Sequence, residues 1–367
     1  MVLRWSQALA WRARQQLLDP VGTDSVADVV RRLGAVRAQP DSAAELAIRV
    51  RRDRSRPGEV ARALAEGRII KTFAFRGATH LLTPEDGGAY LALRAAGRMW
   101  ERSNWQSYYS LTPADWTLLR DVVREVLASG PMTRDELGAA VTARPRFRHL
   151  AFAFADQAET MLKPLAWQGD MSFGPSREGR ATFQLLDGNS RWAGLPDLDE
   201  AGMRAVESYF HTYGPATPEH VQYWLGAGLG AGRKRIQSWI AAFGDRLAAV
   251  DVGGESALIL SDDLEDLLAT APTSVVRLLP AYDQWVLGPG TSDPHIVPPA
   301  RRTLLSRQAN IVTFGGVVTG TWSRTDNQVA IAWFGEAGLP PPDELAAEIA
   351  RLATILGRPL NATIHTT

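Results

Sequence analysis

The chain has no cysteine among its 367 residues. That excludes disulfides, thiolate zinc sites and thiol catalysis together. It also lacks any apolar run of about 18 residues, the length a membrane-spanning helix needs. The opening Met1-Val2-Leu3-Arg4-Trp5 does not have the basic-then-apolar shape of a secretory leader, because Arg12 and Arg14 interrupt the apolar stretch that follows. A cytoplasmic, membrane-free protein is expected. Lysine is nearly missing: Lys71, Lys163 and Lys234 are the only three, so almost every cation is arginine. The wealth of alanine and proline fits a GC-rich coding sequence as the origin of that bias. Whatever its origin, a phosphate contact here would be made by a planar, bidentate donor. Net charge is zero, which argues against a protein that coats nucleic acid through bulk charge. His211 and His220 lie across a turn with no acidic cluster beside them, so no metal site is expected. No glycine-rich loop joins a strand to a helix, and no nucleotide or other cofactor is expected.

What is present is length enough for several cores, and an internal repeat. Val122 to Ser129, Gly130-Pro131, Thr133 and Leu137 lay out an apolar helix, a Gly-Pro break, a threonine cap and a second helix. Val206 to Tyr213, Gly214-Pro215, Thr217 and Val221 repeat that layout. Threonine at each break suits an N-cap, with Asp135, Glu136 and Glu219 placed for the helix dipole. Each second helix is followed by a third, Leu150 to Trp167 in one copy and Arg233 to Phe243 in the other. Two short strands follow each, around Gly174 to Arg180 and around Gly253-Gly254. Three helices and a β-hairpin make a winged helix. The N-terminal third fits the plan less cleanly, with helices at Ser6 to Leu18, Ser25 to Leu33, Ser42 to Arg52 and Glu59 to Glu66. Its strands run from Arg68 to Phe75 and from Thr79 to Leu82. After Ser274 the chain turns strand-rich, with Gly315-Gly316 as a tight hairpin and a closing helix from Glu344 to Leu356. The expected fold is α+β: winged-helix units at residues 1–110, 111–195 and 196–272, then a small mostly-β module closed by a helix at 273–367. Nothing in the sequence demands an oligomer, and a monomer is expected.

Between the helix signals at Ser25 to Leu33 and Ser42 to Arg52 sits a polar junction, Arg37-Ala38-Gln39, followed by Pro40. Ser42 and Glu45 read as a capping box for the helix beyond. A carboxamide at such a junction accepts and donates at once, so Gln39 can hold a water in a fixed direction. The plain alternative is a turn whose polar groups cap helix ends.

Tandem winged helices, this glutamine-centred junction, the strand Phe75-Arg76-Gly77-Ala78-Thr79-His80-Leu81 and the run Leu278 to Gly288 followed by Gly316 to Trp322 together resemble the AlkZ/YcaQ family of bacterial DNA glycosylases. The resemblance spans roughly residues 5 to 357. It implies excision of bulky alkylated purines, including N7 adducts and interstrand crosslinks, by winged helices that grip double-stranded DNA with a hairpin near the lesion. The family's catalytic motif is Gln-apolar-Gln, or Gln-apolar-Asp in one branch. Here it reads Arg37-Ala38-Gln39, and the usual Asp-Pro after it stands reversed as Pro40-Asp41. Carried over residue by residue, Gln39 is the water-orienting group and Arg37 a contact in the same catalytic site. Arg76 and His80 fall in the family-like strand. Arg144, Arg146, Arg148, Arg177 and Arg180 lie near the turns and wing of the second unit and are candidates for phosphate contacts.

An arginine has five donors and no acceptor, so Arg37 can neither take a proton from water nor accept its hydrogen bond. Asp41 is the nearest carboxylate to supply that function, and Asp283 suits either the site or a turn cap. Two readings compete with a glycosylase: a winged-helix DNA-binding protein without catalysis, prompted by Arg37, and a protein-interaction scaffold, prompted by the zero net charge.

Overall fold

A computed structural model describes residues 2–305 and 308–367. The chain divides into two compact units, one made of residues 1–60, 206–224 and 236–367, the other of 61–205 and 225–235. Among the described residues no helix is long and apolar enough to cross a membrane.

In the first unit, the Trp5–Gln15 helix buries Leu9, Trp11 and Ala13 on its inner face. The Val26–Leu33 helix begins at Ser25, whose hydroxyl accepts from the Asp28 N–H at 3.2 Å, and stops at Gly34 in a left-handed conformation (φ 75°). A five-stranded sheet runs in the order Val276–Leu279, Asn310–Phe314, Val317–Thr325, Gln328–Trp333, Asn361–Thr366. Its first three pairings are antiparallel and its last is parallel. Phe314 pairs with Val317 across Gly315-Gly316, both at positive φ (55° and 87°), as a two-residue hairpin loop requires. The Pro342–Leu356 helix packs Leu345 and Leu352 on this sheet against Val276, Val312 and Trp333. Leu9, Val50, Trp285, Val318 and Ile355 form a second core that binds the N-terminal helices to the sheet. The glutamine junction and the run from Leu278 to Gly288 are thereby parts of one folded body.

In the second unit the strands order as Thr79–Leu82, Ile70–Phe73, Met171–Arg177, Arg180–Leu185, Met132–Thr133, and two hairpins are joined where Lys71 pairs with Phe173. Thr112 and Thr133 cap the Pro113–Leu127 and Arg134–Thr142 helices, each in a reciprocal box with the acidic residue three positions on. The expected continuous helix from Leu150 to Trp167 is broken. It forms as Ala151–Ala155 and Leu162–Trp167, with Asp156 extended between them. The Asp156 carboxylate accepts from the Ala158 and Thr160 N–H groups at 2.9 and 3.3 Å. A side chain that satisfies the backbone locally offers it an alternative to the helix, and here that alternative wins. In the Pro84–Ala95 helix, a Cβ on Gly88 would overlap the Gly194 carbonyl oxygen. Gly88→Ala is expected to destabilise the protein by about 1–3 kcal/mol, as overpacking against a fixed backbone does, and denaturant unfolding checks it.

Candidate active site

The junction leaves Gly34 as a short strand, Val36–Arg37, and enters the Asp41–Arg49 helix through Pro40, the N-cap. Extended backbone alternates its side chains, which puts Val36 and Ala38 inward at 1% and 3% exposure. Arg37 and Gln39 are left on the opposite side, half-buried and exposed respectively. The expected Ser42–Glu45 capping box does not form. The helix begins at Asp41, so Ser42 already lies inside its first turn, where it cannot take the extended backbone of an N-cap. Glu45 instead accepts from the Gly58 N–H at 3.2 Å. Asp41 and Ser42 are both exposed.

Arg37 lies over the ring of Tyr282, its guanidinium carbon 4.2 Å from the ring centroid. Tyr282 is itself held in a left-handed conformation (φ 60°). On one side of it, the Ala281 N–H donates to Asn310 Oδ1 at 2.9 Å. On the other, Asp283 accepts from both terminal nitrogens of Arg51, at 2.8 and 2.6 Å, and from the Trp285 N–H at 2.8 Å. Asp283 is therefore a turn cap and an ion-pair partner at once. The arginine-rich stretch from Arg49 to Arg56 spends its leading members on structure. Arg49 donates to the Ile355 carbonyl, Arg51 is wholly buried on Asp283, and Arg52 pairs with Glu59.

Arg76 and His80 belong to the other unit. Arg76 is exposed, in a left-handed turn (φ 52°) between two strands. His80 is 2% exposed, with Nδ1 3.0 Å from the Ala78 carbonyl and its ring against Phe75. The arginines expected to face phosphate carry acidic partners. Arg144 pairs with Glu125, Arg146 with Asp115, Arg177 with Glu136 and Arg180 with Glu178, while Arg148 is exposed. The Thr112 hydroxyl, with help from Arg146, holds the Asp115 carboxyl down to about 2. The Thr133 N–H and the Arg177 guanidinium do the same for Glu136, also to about 2. Both carboxylates stay ionised in neutral solution, so phosphate must compete with them for these guanidinium groups. Among the described residues no group of three or more His, Asp or Glu is placed to hold a metal ion.

The family description "DNA glycosylase AlkZ-like" matches residues 30–355. This chain belongs to the AlkZ-like DNA glycosylase family. It is 35% identical over 363 residues to the "Interstrand DNA cross-link repair glycosylase" of Streptomyces sahachiroi, covering 97% of this chain and 98% of that one. The solved structure of the Streptomyces sahachiroi DNA glycosylase AlkZ superposes with a TM-score of 0.94 at 34% identity, over the whole of both chains. The α+β fold and a DNA substrate follow from that membership. Within this AlkZ-like chain the junction offers one neutral hydrogen-bonding amide, Gln39, and one fixed cation, Arg37. Sequence reasoning missed Tyr282 as the partner of Arg37. An aromatic residue in a run that already reads as a buried turn carries no local mark of a cation laid across it.

Proposed function

We propose that the chain is a monofunctional DNA glycosylase that hydrolyses the N-glycosidic bond of bulky N7-alkylated purines in duplex DNA, with Gln39 orienting the attacking water. The observation that carries this reading is an exposed amide beside a fixed cation at the junction where the family places its motif. An N7-alkylated purine is already cationic and leaves readily, so acid catalysis of its departure is unnecessary. The Gln39 carbonyl accepts a hydrogen bond from water and directs its oxygen at C1′. The C1′–N9 bond breaks, the C1′–O bond forms, the purine departs neutral, and the water's proton passes to solvent. Arg37 near the sugar would oppose the developing oxocarbenium charge by up to about 4 kcal/mol at 4 Å, with an effective dielectric near 20. Its place on this reading is against a phosphate beside the lesion. The relative's name, a crosslink repair glycosylase, favours crosslinked or similarly bulky adducts, in repair or in self-resistance to a genotoxic natural product. The architecture on this reading is three winged helices at 1–110, 111–195 and 196–272 and a β-rich module at 273–367.

The second reading is a winged-helix protein that binds duplex DNA without cutting it, and Arg37 in place of a motif glutamine is what favours it. Base release from N7-alkylated duplex by the wild type, Gln39→Ala and Arg37→Gln separates the two. Release that Gln39→Ala loses establishes the glycosylase. No release by any of the three, with duplex binding retained, establishes the binder. A further expectation concerns the Met171–Arg177 and Arg180–Leu185 hairpin. Arg177→Ala/Arg180→Ala should lower the slope of log affinity against log salt by less than about 1.8, the value for two bare phosphate contacts, because Glu136 and Glu178 already neutralise part of that charge. Binding measured from low to physiological salt reads that slope, and an unchanged slope removes this hairpin from the DNA contact.

A further inference from the structure

We infer that Tyr282 is the positioning residue of the site: it holds Arg37 by its face so that the guanidinium edge meets a DNA phosphate and stays away from the reacting sugar. The inference rests on the glycosylase reading for what the site binds, and on the geometry of the first unit for how it is held. A guanidinium held over a ring is drawn there by the ring quadrupole, an attraction that does not itself require its N–H donors, so the contact can fix where the side chain lies. With the guanidinium carbon 4.2 Å from the ring centroid, Arg37 and Tyr282 are in cation–π contact.

The backbone at Tyr282 argues that its ring is kept for a purpose. A left-handed φ of 60° is a conformation glycine adopts without penalty and a bulky residue does not. That conformation is pinned from both sides, by the Ala281 N–H on Asn310 and by Asp283 on Arg51 and the Trp285 N–H. The platform under Arg37 is thus held by hydrogen bonds on both flanks. Arg37 itself comes from a strand whose alternate residues, Val36 and Ala38, are locked in the core. Both partners are therefore presented by fixed backbone, and the stack needs only the side-chain torsions of Arg37 to close.

The test is a double-mutant cycle read by fluorescence anisotropy on alkylated and undamaged duplex, which needs no turnover. Tyr282→Leu is expected to bind about threefold to tenfold more weakly, the range that loss of a partly buried cation–π contact gives. Tyr282→Phe keeps the ring and should restore wild-type affinity. In the Arg37→Ala background Tyr282→Leu should change nothing further, since the tyrosine acts through the arginine. Arg37→Lys keeps the charge but not the planar stack and leaves the Tyr282 turn intact. It should bind about threefold more weakly and keeps the idea testable if Tyr282→Leu does not fold. The ¹⁵N-detected Arg37 Nε–H resonance should carry a ring-current shift in the wild type and in Tyr282→Phe. Equal binding by wild type, Tyr282→Leu and Arg37→Lys overturns the positioning role while duplex binding and base release stand. A full Tyr282→Leu effect in the Arg37→Ala background overturns it as well, because the ring would then touch DNA directly. Absence of duplex binding by the wild type instead overturns the glycosylase reading, and the phosphate role of Arg37 with it.

Discussion

Gln39→Ala is expected to lower single-turnover base release from N7-alkylated duplex by about 10²- to 10⁴-fold, the contribution of a positioned group that handles the attacking water. The loss should sit in the rate of the chemical step. Gln39 is exposed, and its truncation removes no core contact, so unfolding free energy should move by less than about 0.5 kcal/mol. Duplex affinity should also hold, because an amide that faces water contributes little to phosphate binding. An amide does not titrate, so the motif itself should leave the rate flat between about pH 6 and 9, outside the range where a carboxylate base would ionise. Arg37→Gln replaces a cation with a second amide and removes the charge that opposes an oxocarbenium ion. A wild type that is silent and an Arg37→Gln variant that cuts would mark a glycosylase scaffold held inactive at one position. A wild type that cuts, with Gln39→Ala silent, would make a single motif glutamine sufficient.

The local signals in the sequence are right where the chain settles its own polar groups within a few residues. The Thr133 cap and the Gly315-Gly316 hairpin fall into this class, because cap and turn are completed by neighbours. Thr217 also caps its helix as expected, although the third position is His220 and not a carboxylate. The same local grammar misleads at Ser42-x-x-Glu45, where the N-cap falls on Pro40, two residues too early for the box to close. It misleads again at Asp156, whose side chain interrupts an otherwise helical stretch. The candidate site divides in the same way. Gln39 could be singled out from its own neighbourhood. Its cationic neighbour's partner could not, since Tyr282 is brought to Arg37 by the core that joins the N-terminal helices to the sheet. Arg51 is the sharper case. In sequence it is one arginine in a basic stretch, and only tertiary packing reveals it as the counter-ion of Asp283, 232 residues away.

That pair sets the largest expected effect on stability. Arg51 and Asp283 are both without solvent exposure at their side chains, and two charge-assisted hydrogen bonds of 2.6 and 2.8 Å join them. Asp283→Ala strands a buried guanidinium with no counter-charge and also uncaps the Gln284–Leu287 turn, so a loss of about 3–5 kcal/mol is expected. Against the 5–15 kcal/mol typical of a folded protein, that is enough to lower the thermal midpoint by many degrees. Asp283→Asn keeps a side chain of the same shape but no charge, and should recover only part of the loss. The informative companion is Arg51→Leu/Asp283→Leu. Replacing a buried ion pair by apolar groups of similar size is often close to neutral, so this double variant should regain much of the stability that Asp283→Ala loses. It should not regain DNA affinity if Tyr282 depends on Asp283 for its backbone conformation. Stability recovered without affinity would separate the two tasks of Asp283: neutralising a buried cation, and presenting Tyr282 to Arg37. Affinity recovered together with stability would mean that the turn holds its shape without the ion pair, leaving Asp283 a part of the core alone.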